Sequence, residues 1–193
     1  MPPIPAEPVY QMTVEQYHAA VRAGVFTEDD PIELLEGVLV QKMPKNPPHV
    51  LALAKLQRAL AKQLAEAWSL RAQEPVTLAD GEPEPDLALV RGCAEDYAER
   101  HPGSEDVALV VEVADSTLDR DRGIKLRSYA RASLPVYWIV NLVDRCIEVY
   151  SAPVATASTP TYRTRATYGA GEVVDVVIDD VVRAQVRVDD VLP

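Results

Sequence analysis

Four side chains in this 193-residue chain have the types and settings that could do chemistry together: Glu33, Asp86, Glu112 and Lys125. Glu112 interrupts the run Val107-Ala-Leu-Val-Val111 and Val113, which reads as a strand buried on both faces. A carboxylate in such a run is costly unless a cation or a strong donor meets it. A metal ion is one such partner; an arginine, or a place just past the buried part of the strand, are the others. Asp86 follows Pro85 and opens the apolar strand Leu87-Ala-Leu-Val90, where a carboxylate also serves as an ordinary turn residue. Glu33 lies among apolar neighbours in the first arm of a predicted hairpin, either as a water-facing edge residue or as a further acid of the site. Lys125 is four residues after Asp121 and four before Tyr129, so Asp121 and Lys125 project from one helix face, with a surface ion pair between them as the plain alternative. Should the three carboxylates and the ammonium converge, oxygen ligands of this kind select Mg²⁺ or Mn²⁺, with one or two carboxylates plus water and phosphate oxygens around the ion. Such an ion orients a water for in-line attack on phosphorus. Lys125 would position or help deprotonate that water, or offset charge in the transition state. The chemistry indicated is phosphodiester hydrolysis.

Those side chains need a scaffold. Residues 1–12 are proline-rich and aperiodic, a flexible lead-in, and residues 13–193 are expected to form a single domain. Thr13 reads as the N-cap of a helix through Val14, Tyr17 and Val21 that Gly24 closes. Ile32 to Met43 reads as a hairpin turning at Glu36-Gly37. Asn46-Pro-Pro-His49 starts a long helix whose apolar stripe runs from Leu53, Leu56, Leu60 and Leu64 to Trp68. His49 is expected to cap or pack, with a ligand or substrate contact as the alternative. Lys55, Arg58 and Lys62 form a solvated face of that helix or a modest phosphate-facing ridge. Strand character over Arg71 to Leu78 precedes the turn at Asp80-Gly81, and a polar excursion with a short helix over Ala94 to Arg100 leads to the Glu112 strand. A helix over Asp119 to Ala132 connects it to a strand over Leu134 to Leu142, which pairs with Cys146 to Tyr150. Ser151 to Thr161 reads as a loop, and Tyr162 to Pro193 as short strands separated at Gly169-Ala-Gly171. The layout is α/β, with a mixed central sheet flanked by helices, an N-terminal hairpin and extra C-terminal strands.

Composition sets bounds. No apolar run approaches the ~20 residues of a membrane span, the N-terminus has no signal-peptide pattern, and the expected location is the cytoplasm. Cys93 and Cys146 have no metal-ligand spacing and are expected to be thiols. The net charge of −11 argues against non-specific coating of nucleic acid but leaves room for a local basic patch or an acidic cation site.

Taken in order, Glu33-Leu-Leu-Glu-Gly-Val-Leu-Val40, Met43-Pro with His49, Pro85-Asp-Leu-Ala-Leu89, Val111-Glu-Val-Ala-Asp-Ser-Thr117, Asp121-Arg-Gly-Ile-Lys125 with Tyr129-Ala130, and Pro135-Val-Tyr-Trp-Ile-Val140 closely resemble the Uma family. These are bacterial restriction-endonuclease-like proteins of the PD-(D/E)XK nuclease superfamily, and the resemblance runs from about Thr13 to the C-terminus. It implies a restriction-endonuclease-like fold and a metal-dependent site. Asp86 matches the Asp of the PD element, Glu112 the acid of the next strand and Glu33 an additional N-terminal acid, so Asp86, Glu112 and Glu33 are the implied metal ligands. Ala114 stands where a catalytic Lys is expected, and the resemblance moves that role to Lys125 on the following helix. Asp115 and Asp121 are supporting acids. The resemblance further implies an Mg²⁺- or Mn²⁺-dependent DNA endonuclease; related nucleases often dimerise to cut two strands, which makes a homodimer an expectation while the oligomeric state stays open. The strongly acidic chain implies weak or partner-dependent DNA engagement. The alternative is a catalytically silent member of the same fold that binds nucleic acid or another protein, because fold alone does not establish activity.

Overall fold

The computed structural model describes residues 9–27, 29–64, 67–156 and 158–193. Strand β5 (Val107–Ala114) is buried at every position because layers pack on both of its faces. Leu109, Val111 and Val113 meet Leu53, Leu56 and Leu60 of helix α2 (Pro47–Ala61). Val110 and Ala114 meet Leu126, Tyr129 and Ala130 of helix α4 (Leu126–Arg131). Side chains of a strand alternate between faces, so Glu112 leaves β5 on the α4 side.

Six strands make the central sheet, in the order β3 (Trp68–Arg71), β4 (Leu87–Arg91), β5, β6 (Val136–Asn141), β7 (Cys146–Val154) and β8 (Thr161–Tyr168). Only the β5–β6 pair is parallel, and its connection carries helix α3 (Leu118–Arg120), a π-helical turn (Asp121–Lys125) and α4. The N-terminal hairpin β1 (Ile32–Leu35) and β2 (Val38–Gln41) turns at Glu36 and Gly37, both with positive φ, as a two-residue hairpin turn requires. A second hairpin, β9 (Val173–Ile178) with β10 (Val181–Arg187), packs its inner face of Val174, Val176, Ile178, Ala184 and Val186 into the α2 layer. Helix α1 (Val14–Arg22) has the expected Thr13 cap, closed into a capping box by Gln16. Of the proline-rich lead-in, residues 1–8 lie outside the described residues, and the Met12 amide donates to the Gly37 carbonyl.

Several boundaries differ from the sequence reading. Helix α2 ends at Ala61, and Trp68 instead opens β3, where pairing with β4 and the Arg91 guanidinium 4.8 Å from its ring hold it. The strand expected over Arg71 to Leu78 precedes that segment. From Ala72 to Asp86 the chain forms an irregular arm joined by Gln73 N to Pro85 O, Val76 N to Pro83 O and Leu78 N to Gly81 O. Pro75, Pro83 and Pro85 lack the donors that a regular ladder would need. The helix expected over Ala94 to Arg100 is a 3₁₀ turn, Ala94–Tyr97. The loop expected over Ser151 to Thr161 is shortened by β7 and β8, and the C-terminus adds a short helix, α5 (Val188–Val191).

The arm meets the N-terminal hairpin at Gly81, where a Cβ would lie 2.6 Å from the Leu34 carbonyl oxygen. That close approach lets Glu82 N donate to Leu34 O at 2.7 Å and draws β1 against the mouth of β4. Among the described residues no helix is long and apolar enough to cross a membrane.

Candidate active site

Glu33, Asp86, Glu112 and Lys125 line one small cleft of about 80 Å³, together with His49, Gln73, Thr117 and Asp121. Strand register explains the central pair. Leu87 lies opposite Val111, so continuing by one residue sets Asp86 opposite Glu112 on the same face. The Asp86 amide lies 3.4 Å from Glu112 Oε2, and the Val113 amide donates to Asp86 Oδ2 at 2.8 Å.

Each acid is held by partners from a different element. His49, in the first turn of α2, donates Nε2–H to Asp86 Oδ2 at 2.9 Å, since a carboxylate only accepts. Its own position follows from the Asn46 cap, whose side chain accepts from the His49 amide. Gln73, on the proline-rich arm, reaches Asp86 Oδ1 at 3.3 Å. Glu112 Oε1 accepts from Tyr129 OH at 2.6 Å and from Lys125 Nζ at 3.0 Å. Glu33 Oε2 lies 2.8 Å from Lys125 Nζ and accepts the Glu84 amide at 3.1 Å. Glu33 is therefore buried rather than a water-facing edge residue, and in this arrangement it meets the ammonium rather than the Asp86–Glu112 pair. Lys125 forms no surface ion pair with Asp121. It is 3 % exposed between Glu112 and Glu33, while Asp121 accepts from Thr117 Oγ1 at 2.6 Å.

Packing separates the two positions at which a lysine is expected. Ala114 is fully buried under α4, in the layer with Leu126, Tyr129 and Ala130, where a lysine stem would have no room. The ammonium comes instead from the π turn, whose wider winding buries both Asp121 and Lys125 at the cleft.

The electrostatics follow from four buried or half-buried acids facing one lysine. Burial, reinforced by Asp86, Asp121 and Glu33 against the pull of Lys125, pushes the Glu112 carboxyl up to about 8. Burial raises Asp121 to about 6, against the Thr117 hydrogen bond and Lys125. Burial also works against ionised Asp86, but the His49, Val113 and Gln73 hydrogen bonds prevail and hold it below the usual carboxylate range. Burial disfavours the Lys125 ammonium too, yet Glu112 and Glu33 outweigh it and keep the charge in place.

Hard oxygen donors fit a divalent cation of the Mg²⁺ type. With Glu112 Oε1 taken by Tyr129 and Lys125, Oε2 remains on the Asp86 side. Asp86 Oδ2 is taken by Val113 and His49, leaving Oδ1 with the long Gln73 contact alone. Among the described residues no group of three or more His, Cys, Asp or Glu is gathered as a ready metal cage. Mg²⁺ typically takes only one or two carboxylates from the protein, so the two free oxygens fit what such an ion would need.

The comparisons with known proteins agree with this architecture. Residues 14–181 match the model of the Uma2 family, described as "Putative restriction endonuclease". The chain belongs to the Uma2 family. A crystal structure of "a putative nuclease belonging to DUF820" from Anabaena variabilis ATCC 29413 superposes with a TM-score of 0.65. The two chains are 12% identical, with 93% of this chain and 97% of that chain covered, and the likeness shows the restriction-endonuclease-like fold. No curated protein matches.

Gln73 carries no signal in its irregular arm, so the sequence does not point to it. Tyr129 reads as a core residue, and its i+4 spacing from Lys125 does not reveal the contact with Glu112. His49, expected to cap or pack with a ligand or substrate contact as the alternative, meets Asp86 in the cleft. The Lys55, Arg58 and Lys62 face of α2 does not line the cleft, and Lys55 donates to the Leu192 carbonyl at 2.6 Å.

Proposed function

We propose that this protein is a nuclease that hydrolyses phosphodiester bonds of DNA with Mg²⁺ or Mn²⁺ at Asp86 and Glu112. The observation that carries the reading is the convergence of those carboxylates, with Lys125 and Glu33, on one cleft. Membership of a family described as "Putative restriction endonuclease" supports it. The ion, when bound, supplies Lewis-acid stabilisation of the phosphoryl oxygens and a more acidic water. His49, Gln73 and the Val113 amide orient Asp86. Tyr129 and Lys125 fix Glu112 through Oε1. Glu33 holds the Lys125 ammonium beside the reacting centre, where it offsets negative charge as the phosphorus–oxygen bond breaks.

The test is incubation of plasmid and oligonucleotide DNA with the wild type and Asp86→Ala in Mg²⁺ or Mn²⁺. Cleavage by the wild type that needs the metal and vanishes in the variant is expected. Absence of metal-dependent cleavage by the wild type would instead favour the silent module of the same fold; the net charge of −11 is in keeping with weak or partner-dependent DNA engagement.

His49 gives a separate prediction. Partners that orient a metal-binding carboxylate typically contribute about 10- to 100-fold in metal affinity. His49→Ala is therefore expected to weaken Mn²⁺ binding by about that factor in calorimetry, and His49→Gln, which keeps a donor, by less. Equal affinities for wild type and His49→Ala would remove His49 from the site.

A further inference from the structure

Two depressions meet at the active-site cleft, and their charges differ. The larger, about 1320 Å³, shares Lys42, Gln73 and Glu84 with the cleft and runs past α1 to the 3₁₀ turn. Six carboxylates line it against four Lys and Arg side chains. Three of those cations are already matched: Lys42 by Glu84, Arg71 by Glu74 and Arg100 by Asp106. A polyanion laid along that groove would meet Glu99 and Glu105 without compensating charge.

The other side of the cleft is formed by the loop between β2 and α2 and by α3. It brings Lys45 and Arg120 to the rim. Lys42 and Lys125, the remaining cations of the cleft, are tied to Glu84 and to Glu33 with Glu112. No carboxylate lies within ion-pair distance of Lys45 or Arg120 among the described residues. Arg120 is steadied by one hydrogen bond, from Nη1 to the Gln41 carbonyl at 3.0 Å, and it makes no contact ion pair among the described residues, although the neighbouring Asp121 carboxyl feels its charge. That bond fastens the end of β2 to α3, and the bond from Asn46 Nδ2 to Asp115 fastens the N-cap of α2 to the residue that follows β5. The two cations thus belong to one braced rim beside Asp86 and Glu112.

We propose that the DNA backbone crosses the cleft over this rim, with Lys45 and Arg120 as its phosphate contacts, and does not follow the larger groove. This rests on the nuclease reading above and adds the substrate's path and its electrostatic footprint. Two phosphate contacts release about two counterions, so log Kobs against log[salt] has a slope of about −0.9 per contact, near −2 in all. Binding then weakens only about tenfold between 50 and 200 mM salt, a short footprint in keeping with the acidic chain.

The experiment is fluorescence anisotropy of a labelled DNA duplex over a salt series, with Ca²⁺ in place of Mg²⁺, for the wild type, Lys45→Ala, Arg120→Gln and Arg22→Ala. Arg22 lines the larger groove and serves as the control. Each rim variant is expected to flatten the slope by about one, and Arg22→Ala to leave it unchanged. Unchanged slopes in both rim variants, a flattened slope in Arg22→Ala, or no salt-dependent binding by the wild type would overturn the proposed path. Plasmid cleavage by the wild type in Mg²⁺, measured alongside, reports separately whether the nuclease reading stands.

Discussion

Lys125→Ala is expected to abolish DNA cleavage, with a rate loss of at least about 10²- to 10³-fold, and to destabilise the fold by about 3–5 kcal/mol. Both effects have one origin. Lys125 is the cation between Glu112 and Glu33, at 3.0 and 2.8 Å, and all three groups are buried. Removing it leaves two acids facing each other in a cleft that already raises the Glu112 carboxyl to about 8. The variant recovers by binding protons in the folded state. An acid whose folded pKa lies above its unfolded value of about 4.3 makes the native state bind more protons between those limits, so stability falls as pH rises through that window. The deficit against wild type should accordingly be smaller near pH 5 than near pH 8 in denaturant titrations. A deficit independent of pH, or a variant that cleaves DNA normally, would contradict this account of Lys125.

The second large effect is expected at Arg122, three residues before Lys125 on the same π turn. Glu148 is fully buried and accepts from Arg122 Nε at 3.1 Å, Arg165 at 3.0 Å, Tyr150 OH at 2.6 Å and Asn141 at 2.9 Å. Register places it in line with the site: Glu112 pairs with Ile139 on β6, and Ile139 with Glu148 on β7. Arg122 thereby fastens the π turn to the sheet two strands from Glu112. Arg122→Ala leaves Glu148 buried with part of its compensation gone, at a cost of about 1–3 kcal/mol, and frees the turn that carries Lys125. Cleavage should fall with it. Acid pH supplies an independent check on Glu148. Burial opposes its ionisation, but Arg122, Tyr150, Asn141 and Arg165 hold its carboxyl down to about 2. The stabilisation from a depressed carboxylate is fully present above the unfolded value of about 4.3 and is lost as pH falls toward 2. Glu148→Gln should remove that acid-sensitive step from the unfolding curve, and a wild-type curve without the step would exclude a stabilising role for the ionised form.

The amino-acid sequence alone determined the locally encoded elements and the residue types of the site. Patterning marks β5 as a doubly buried strand, Thr13 as a cap, Asn46-Pro-Pro-His49 as a helix start and Glu36-Gly37 as a hairpin turn, because each of these depends on neighbours within a few residues. The four residues expected to work together line one cleft, since strand and helix ends facing one edge of a sheet converge there. Tertiary structure decided what each side chain meets. Glu33 finds Lys125 and the Glu84 amide, and Asp86 finds His49, Gln73 and the Val113 amide. Those partners stand far away in the chain, and periodicity reports that a position is buried without reporting what lies opposite. The end of α2, the proline-rich arm and the π turn likewise followed from cross-strand pairing and helix-on-sheet packing, which outweigh local preference when the two compete.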